Sequence, residues 1–270
     1  MATSTSPSSV DRPRTFSHDL DPALFTPERI DDLCRRAPTG TVRVQFGDAT
    51  PERPRLEPID TDLRVPVVAD ALDRNVQVRI FDVADWGGPG YVAARDALLR
   101  SVAPGASHGH HVVTAMIRVF SPGCIVALHG DPDPKIVCDV SGHTVWHVRP
   151  FDAMTPKEHE DLMRGGFFLR WRDCDEEEQL EIGPGEGCFV PCRWAHWLTH
   201  PGDEPIISFE LGIWTHRALR LRKVNDVNWL MRRAHLTPRP PGEGRDGAKT
   251  RFFDVASTIT RKGMHYRGGV

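Results

Sequence analysis

Between residues 111 and 148 the apolar positions fall in short, β-branched runs: Val112 to Phe120, Gly123 to Leu128, Ile136 to Val140 and Thr144 to Val148. Gly, Pro, Ser and Asp punctuate them, a pattern that predicts strands joined by turns. The series resumes at Gly187 to Pro191 and Ile206 to Trp214, after an interruption at 152–180. Inside that interruption Thr155-Pro156-Lys157-Glu158 has the form of a capped helix start, and the acidic run Asp173 to Glu178 predicts a solvated loop. Many short strands with turn signals argue for a β-sandwich or barrel over alternating βα units.

Helical spacing appears on either side. Thr26-Pro27-Glu28-Arg29 places a capping hydroxyl, a first-turn proline and an acid in order, and Ile30, Leu33 and Cys34 follow until Pro38-Thr39-Gly40. A second stretch, Gly90 to Val102, carries Val92, Ala93, Leu98 and Leu99. After Trp214, the residues Leu219, Val224, Val227, Leu230 and Met231 recur at helical intervals up to Pro238-Arg239-Pro240-Pro241-Gly242. Residues 1–16 are rich in Ser, Thr and Pro and predict a disordered tail. The expected organisation is therefore that tail, a β domain with N-terminal helices over 17–215, and a C-terminal helical extension over 216–270. The extension would pack on the barrel or on a second subunit.

Composition narrows the class without naming a function. The chain has 270 residues, 39% hydrophobic and 26% charged, and 34 basic against 37 acidic residues give a net charge of −3. Near-neutrality disfavours nucleic acid as the partner. The arginines at 217, 220, 222, 232 and 233 then read as the solvated side of an amphipathic helix. No apolar run approaches the roughly 20 residues of a membrane span, and no apolar core of a signal peptide stands at the start. Six cysteines are too few for a disulfide scaffold at this size. Together these features predict a cytoplasmic protein with reduced thiols.

The chemistry concentrates in Cys124-Ile-Val-Ala-Leu-His129-Gly130-Asp131. Alternate side chains of a strand share a face, so the imidazole and the carboxylate can reach one cation. A second imidazole would complete a two-His, one-carboxylate face that leaves positions open on iron(II). His196, in Gly185-Glu-Gly-Cys-Phe-Val-Pro191-Cys-Arg-Trp194-Ala-His196, is the candidate, with His200 competing. A zinc-like Cys188, Cys192, His196 spacing and the cluster at His108, His110 and His111 are weaker metal signals.

In these blocks the sequence resembles the cupin-like, JmjC-type iron(II)/2-oxoglutarate dioxygenases. That group includes asparaginyl and tRNA-modifying hydroxylases. Its members show G-x-x-T-x-x-H-x-D, then G-x-K-x-W, then G-D-x-x-x-I-P-x-x-W-x-H. Here the blocks read Gly123 to His129-Gly-Asp131, Gly142-His-Thr144-Val-Trp146, and Gly185-Glu186 with Val190-Pro191, Trp194 and His196. The likeness covers about 110–215. It implies a mainly β fold, a double-stranded β-helix (the cupin or jelly-roll barrel) with flanking helices. It further implies His129, Asp131 and His196 as ligands of Fe(II), 2-oxoglutarate as co-substrate, and dioxygen as oxidant. The implied reaction is hydroxylation of a C–H bond in a peptide or protein side chain, or in a natural-product intermediate. Dimerising helices appended to such barrels imply a homodimer.

The chain departs from the pattern where the family holds the distal carboxylate of 2-oxoglutarate. The family's Lys and Thr are here Thr144 and Val126, neither of them charged. A dicarboxylate in a partly buried pocket needs a cation. Lys135 and Arg118 are the candidates, followed by Arg149 and Arg193, while Glu210 stands where it can orient His196. Two further readings stay open: a cupin metalloenzyme that does not use 2-oxoglutarate, and a non-catalytic binding module.

Overall fold

The structure is a computed structural model that describes residues 12–46, 50, 52, 67–73, 76–103, 110–150, 153–163, 169, 171–192, 194–239, 241 and 246–260. Arg193, the side chains of His108, His110 and His111, and positions 1–11 lie outside the described residues.

The strands are β1 (Arg14–Ser17), β2 (Val42–Phe46), β3 (Val76–Ile80), β4 (His110–Phe120), β5 (Ile125–Gly130), β6 (Lys135–Ser141), β7 (Thr144–Arg149), β8 (Glu178–Ile182), β9 (Glu186–Val190), β10 (Ala195–Thr199) and β11 (Ile206–Thr215). They build a seven-stranded sheet, β1-β9-β6-β11-β4-β3-β2, and a four-stranded sheet, β5-β10-β7-β8. All pairings among them are antiparallel. Alternation of β4 to β11 between the sheets produces the double-stranded β-helix expected from the sequence. Strands β1, β3 and β2 extend the larger sheet at its edges. Those three strands were not anticipated, and β1 takes up part of the stretch expected to be a tail.

Period-two alternation explains the two faces of the larger sheet. On β11, Ile207, Phe209, Leu211 and Ile213 point away from the barrel into a cluster with Ile30, Leu33, Tyr91 and Leu98. Those partners come from α1 (Pro27–Arg36) and α4 (Pro89–Val102), which with α2 (Val67–Asp73) and α3 (Val83–Trp86) cover that face. The opposite positions of β11, among them Ile206, Ser208, Glu210 and Gly212, face the smaller sheet. Between the sheets lie Phe120, Val126, Val137, Trp146, Val148, Cys188, Val190 and Leu198. The apolar filling ends where His129, Asp131 and His196 begin.

The helix starts read from the sequence form as expected. Thr26 Oγ1 accepts from the Arg29 amide, and α5 (Pro156–Met163) opens with a reciprocal box in which Thr155 and Glu158 each cap the other's amide. The C-terminal extension holds two helices, α6 (His216–Arg233) and α7 (Asp246–Thr260), and α6 packs against both α5 and α7. Among the described residues no helix is long and apolar enough to cross a membrane, and all six cysteines are unpaired.

The acidic run is not wholly solvated. Glu177 accepts from Arg149 Nε at 2.6 Å and Trp197 Nε1 at 3.1 Å, and lies 3.2 Å from His147 Nδ1. Residues 147, 149 and 197 are the outward positions of β7 and β10, so they need a polar partner outside the barrel. Arg149 therefore faces away from the metal-ligand candidates, and Trp197, stacked on His147 at 3.6 Å, does not line the barrel mouth.

Candidate metal centre

His129 is the last residue but one of β5, and Asp131 follows immediately after its end at Gly130. His196 lies on β10 directly opposite His129, with ring centroids 4.2 Å apart. One ligand atom from each of the three residues falls within 4.8 Å of the others, and this is the one such group of His, Cys, Asp or Glu found among the described residues. A register shift between His196 and Leu198 marks a bulge in the β5–β10 pairing. The extra residue on β5 brings Val126 and His129, three apart, to the same inner face.

The backbone sets the tautomers. His129 Nδ1 donates to the Ala127 carbonyl at 2.8 Å, and His196 Nδ1 donates to the Trp194 carbonyl at 2.9 Å. A carbonyl only accepts, so the proton of each neutral ring sits on Nδ1 and the lone pair on Nε2. His196 Nε2 is buried and has no hydrogen-bond partner; its nearest charged neighbour is Asp131 Oδ2 at 3.5 Å. Burial, reinforced by His196, pushes the His129 imidazole down to about 3. Burial would raise the Asp131 carboxyl, but Lys135 and the two imidazoles hold it well below the ordinary carboxylate range. A neutral imidazole, an unpartnered buried lone pair and an ionised carboxylate are the donor set that a divalent cation of borderline character takes.

A buried ion network lies beside this group. Lys135 Nζ is 3.3 Å from Asp133 Oδ2 and 3.3 Å from Glu210 Oε1, and Arg118 Nη2 is 2.9 Å from Glu210 Oε2. Burial alone would lower the Lys135 ammonium, yet Asp131, Asp133 and Glu210 around it push it up. Gly212 makes the network possible. A Cβ there would meet the Asp133 carboxylate, Thr114 Oγ1 and Lys135 Nζ. Glu210 is thus the counter-ion of two cations, and it does not orient His196, whose Nδ1 proton already has the Trp194 carbonyl.

Deeper between the sheets lies Thr144, at the position of the family's lysine. Its neighbour is Asp139 of β6, fully buried, which accepts from Ser208 Oγ at 2.7 Å and keeps Oδ2 without a partner. Burial pushes Asp139 up to about 7, opposed by the Thr144 and Ser208 hydroxyls. Cys188 faces into the barrel with its thiol pushed well up, and Cys192 Sγ donates to the Pro132 carbonyl, so neither joins His196 in a zinc-like set. His200 donates from Nδ1 to the Cys124 carbonyl at 2.7 Å and stacks on Phe120, away from the candidate ligands.

One residue of this region escaped the sequence reading. Arg79 of β3 lies directly opposite Arg118 of β4. The signal was present as Val76-Gln-Val-Arg-Ile80, in which Gln77 and Arg79 alternate with three apolar positions.

No protein-family model and no curated protein matches this chain. Solved structures do. The chain is similar to YcfD, a ribosomal oxygenase from Escherichia coli, in complex with cobalt and 2-oxoglutarate: TM-score 0.52, 13% identity, 94% of this chain and 64% of that chain. The fold is shared with YcfD. A second structure of the same E. coli oxygenase gives a TM-score of 0.51 at 14% identity, covering 95% of this chain and 65% of that one. The chain thus spans just under two thirds of the length of YcfD, and at this identity the likeness is one of architecture.

Proposed function

We propose that this protein is an iron(II)- and 2-oxoglutarate-dependent oxygenase that hydroxylates a C–H bond, with His129, Asp131 and His196 as the metal ligands. The observation that carries the reading is the buried, unpartnered Nε2 of His196, converging with ligand atoms of His129 and Asp131. The YcfD fold supports it, since that protein was captured with cobalt and 2-oxoglutarate. Bound iron would supply oxidative decarboxylation of 2-oxoglutarate to succinate and transfer of one oxygen atom to substrate. The protein's part is structural and electrostatic. Two carbonyls fix the imidazole tautomers, Lys135 keeps Asp131 ionised, and the apolar filling of the barrel excludes water from one side of the site.

For the substrate we infer a peptide or protein side chain, as the ribosomal oxygenase likeness suggests, with a natural-product intermediate second. The extension at 216–270 is read as a homodimerisation element. Leu230, Leu236 and Phe252, the large apolar side chains that stand exposed among the described residues, all fall in it. Light scattering of the full chain tests that point.

The deciding experiment is succinate formation by the full chain, which should require both iron(II) and 2-oxoglutarate. A second reading keeps the metal and drops 2-oxoglutarate. It is favoured by one observation, the uncharged Thr144 beside the buried Asp139 where the family has a lysine. Metal-dependent turnover of another co-substrate, with none of 2-oxoglutarate, would establish it.

A further inference from the structure

We propose that a cross-strand pair of guanidinium groups on the larger sheet, Arg79 and Arg118, holds the distal carboxylate of the co-substrate, in place of the position on β7 that the family uses. The inference rests on the 2-oxoglutarate reading above and names the residues that complete it.

The family's place is closed to an anion. Thr144 carries no charge, and beside it stands Asp139, fully buried with one oxygen unpartnered. A carboxylate brought there would meet a second carboxyl with no cation between them. Lys135 is not free either, because its ammonium lies between Asp133 and Glu210.

The β3–β4 side shows the opposite imbalance. Arg79 and Arg118 face each other in register, and like charges directly opposite on neighbouring strands repel. Each keeps its Nε–H buried without an acceptor. Arg118 is ion-paired with Glu210 through Nη2, and Glu210 is shared with Lys135. Arg79 gives Nη2 to Gln77, a neutral amide. Burial lowers the Arg79 guanidinium to about 10, and the Arg118 charge adds to it. A half-buried and a buried guanidinium, Arg79 and Arg118, with one shared carboxylate leave unmet donors and positive charge, and an incoming carboxylate supplies both acceptors and counter-charge. The pair is joined to the neighbourhood of the metal-ligand candidates through Glu210, which bridges Arg118 at 2.9 Å and Lys135 at 3.3 Å. A ligand chelating at one end can therefore be met at the other.

The test is calorimetric binding to the metal-loaded full chain without oxygen, so that no turnover is read. The probes are 2-oxoglutarate and 2-oxopentanoate, which share the chelating head and differ in the distal carboxylate. Arg118→Gln and Arg79→Gln should each weaken 2-oxoglutarate by about tenfold or more while leaving 2-oxopentanoate nearly unchanged. Thr144→Val should change neither. Arg118→Lys, which keeps the charge, should retain part of the preference and guards against a variant that fails to fold. Equal weakening of both ligands by the Gln variants, or loss of 2-oxoglutarate binding in Thr144→Val alone, would overturn the assignment. Wild-type protein that holds metal but binds neither oxo acid would instead overturn the 2-oxoglutarate reading itself.

Discussion

His129 and His196 sit directly opposite on β5 and β10, and each ring is locked by an Nδ1–H bond to the carbonyl two residues before it in the chain. The segment that carries each imidazole thus also orients it. Preorganisation of this kind needs no second element to fold correctly first.

Loss of one member of the set should therefore abolish metal binding without dismantling the barrel. His196→Ala removes a ring packed against His129 and Trp146, so a modest loss of stability accompanies it. Metal affinity should fall beyond the roughly 10–100-fold that loss of a mere orienting partner costs. Metal content after dialysis checks this, and a variant that retains a full equivalent of metal would contradict the assignment.

Glu210 joins Arg118 and Lys135, so neutralising it leaves Arg118 without its ion-pair partner and Lys135 in contact with Asp133. Glu210→Gln should lower unfolding stability by about 3 kcal/mol, the low end for breaking a buried ion pair, because Lys135 keeps one partner. Denaturant unfolding measures it. A change below about 0.5 kcal/mol would show that the network contributes little to the fold.

Gly212→Ala tests the same network by volume instead of charge. The added methyl would meet the Asp133 carboxylate, Thr114 Oγ1 and Lys135 Nζ, in the middle of a buried strand. Overpacking of this sort costs about 1–3 kcal/mol. The variant should melt lower and bind metal more weakly, since Lys135 must move and Asp131 loses part of its electrostatic support. A fully native melting curve would mean that the network yields easily.

Much of this site was legible in the amino-acid order because strands have a period of two. His129 and Asp131 share a face by that rule, as do Thr144 and Trp146. The alternation does not foretell that Val126 joins them, because a bulge on β5 resets the count between 126 and 129. Glu210 read from the sequence as an acid orienting His196, not as the counter-ion of two cations, since partners across β4, β6 and β11 are set by register, which short apolar runs do not encode. Arg79 was missed for a related reason. Its strand lies towards the edge of the larger sheet, before the continuous β series, and only pairing with β4 brings it to the site.

Asp139 gives the molecule a distinctive acid–base signature. Its carboxyl, fully buried and hydrogen-bonded to Ser208, is pushed by burial from the ordinary 3.8 up to about 7. The groups facing it from the packed elements supply no cation: Thr144 from β7, Ser208 from β11 and the Cys188 thiol from β9. His18 reaches only its backbone carbonyl. A raised carboxyl pKa means that the folded chain binds this proton more tightly than the unfolded chain. Its contribution is fully present below the unfolded value and is lost as pH rises through the folded one. The share of stability that Asp139 supplies should therefore decline from about pH 4 to about pH 7 by a few kcal/mol, because each pH unit crossed between the two values removes ~1.4 kcal/mol. Asp139→Asn keeps the shape and removes the titration, so the stability difference between wild type and variant should move towards the variant across that window and level off above it. Unfolding free energies at several pH values decide the matter. A difference that stays constant from pH 4 to pH 7 would mean that Asp139 titrates normally despite its burial.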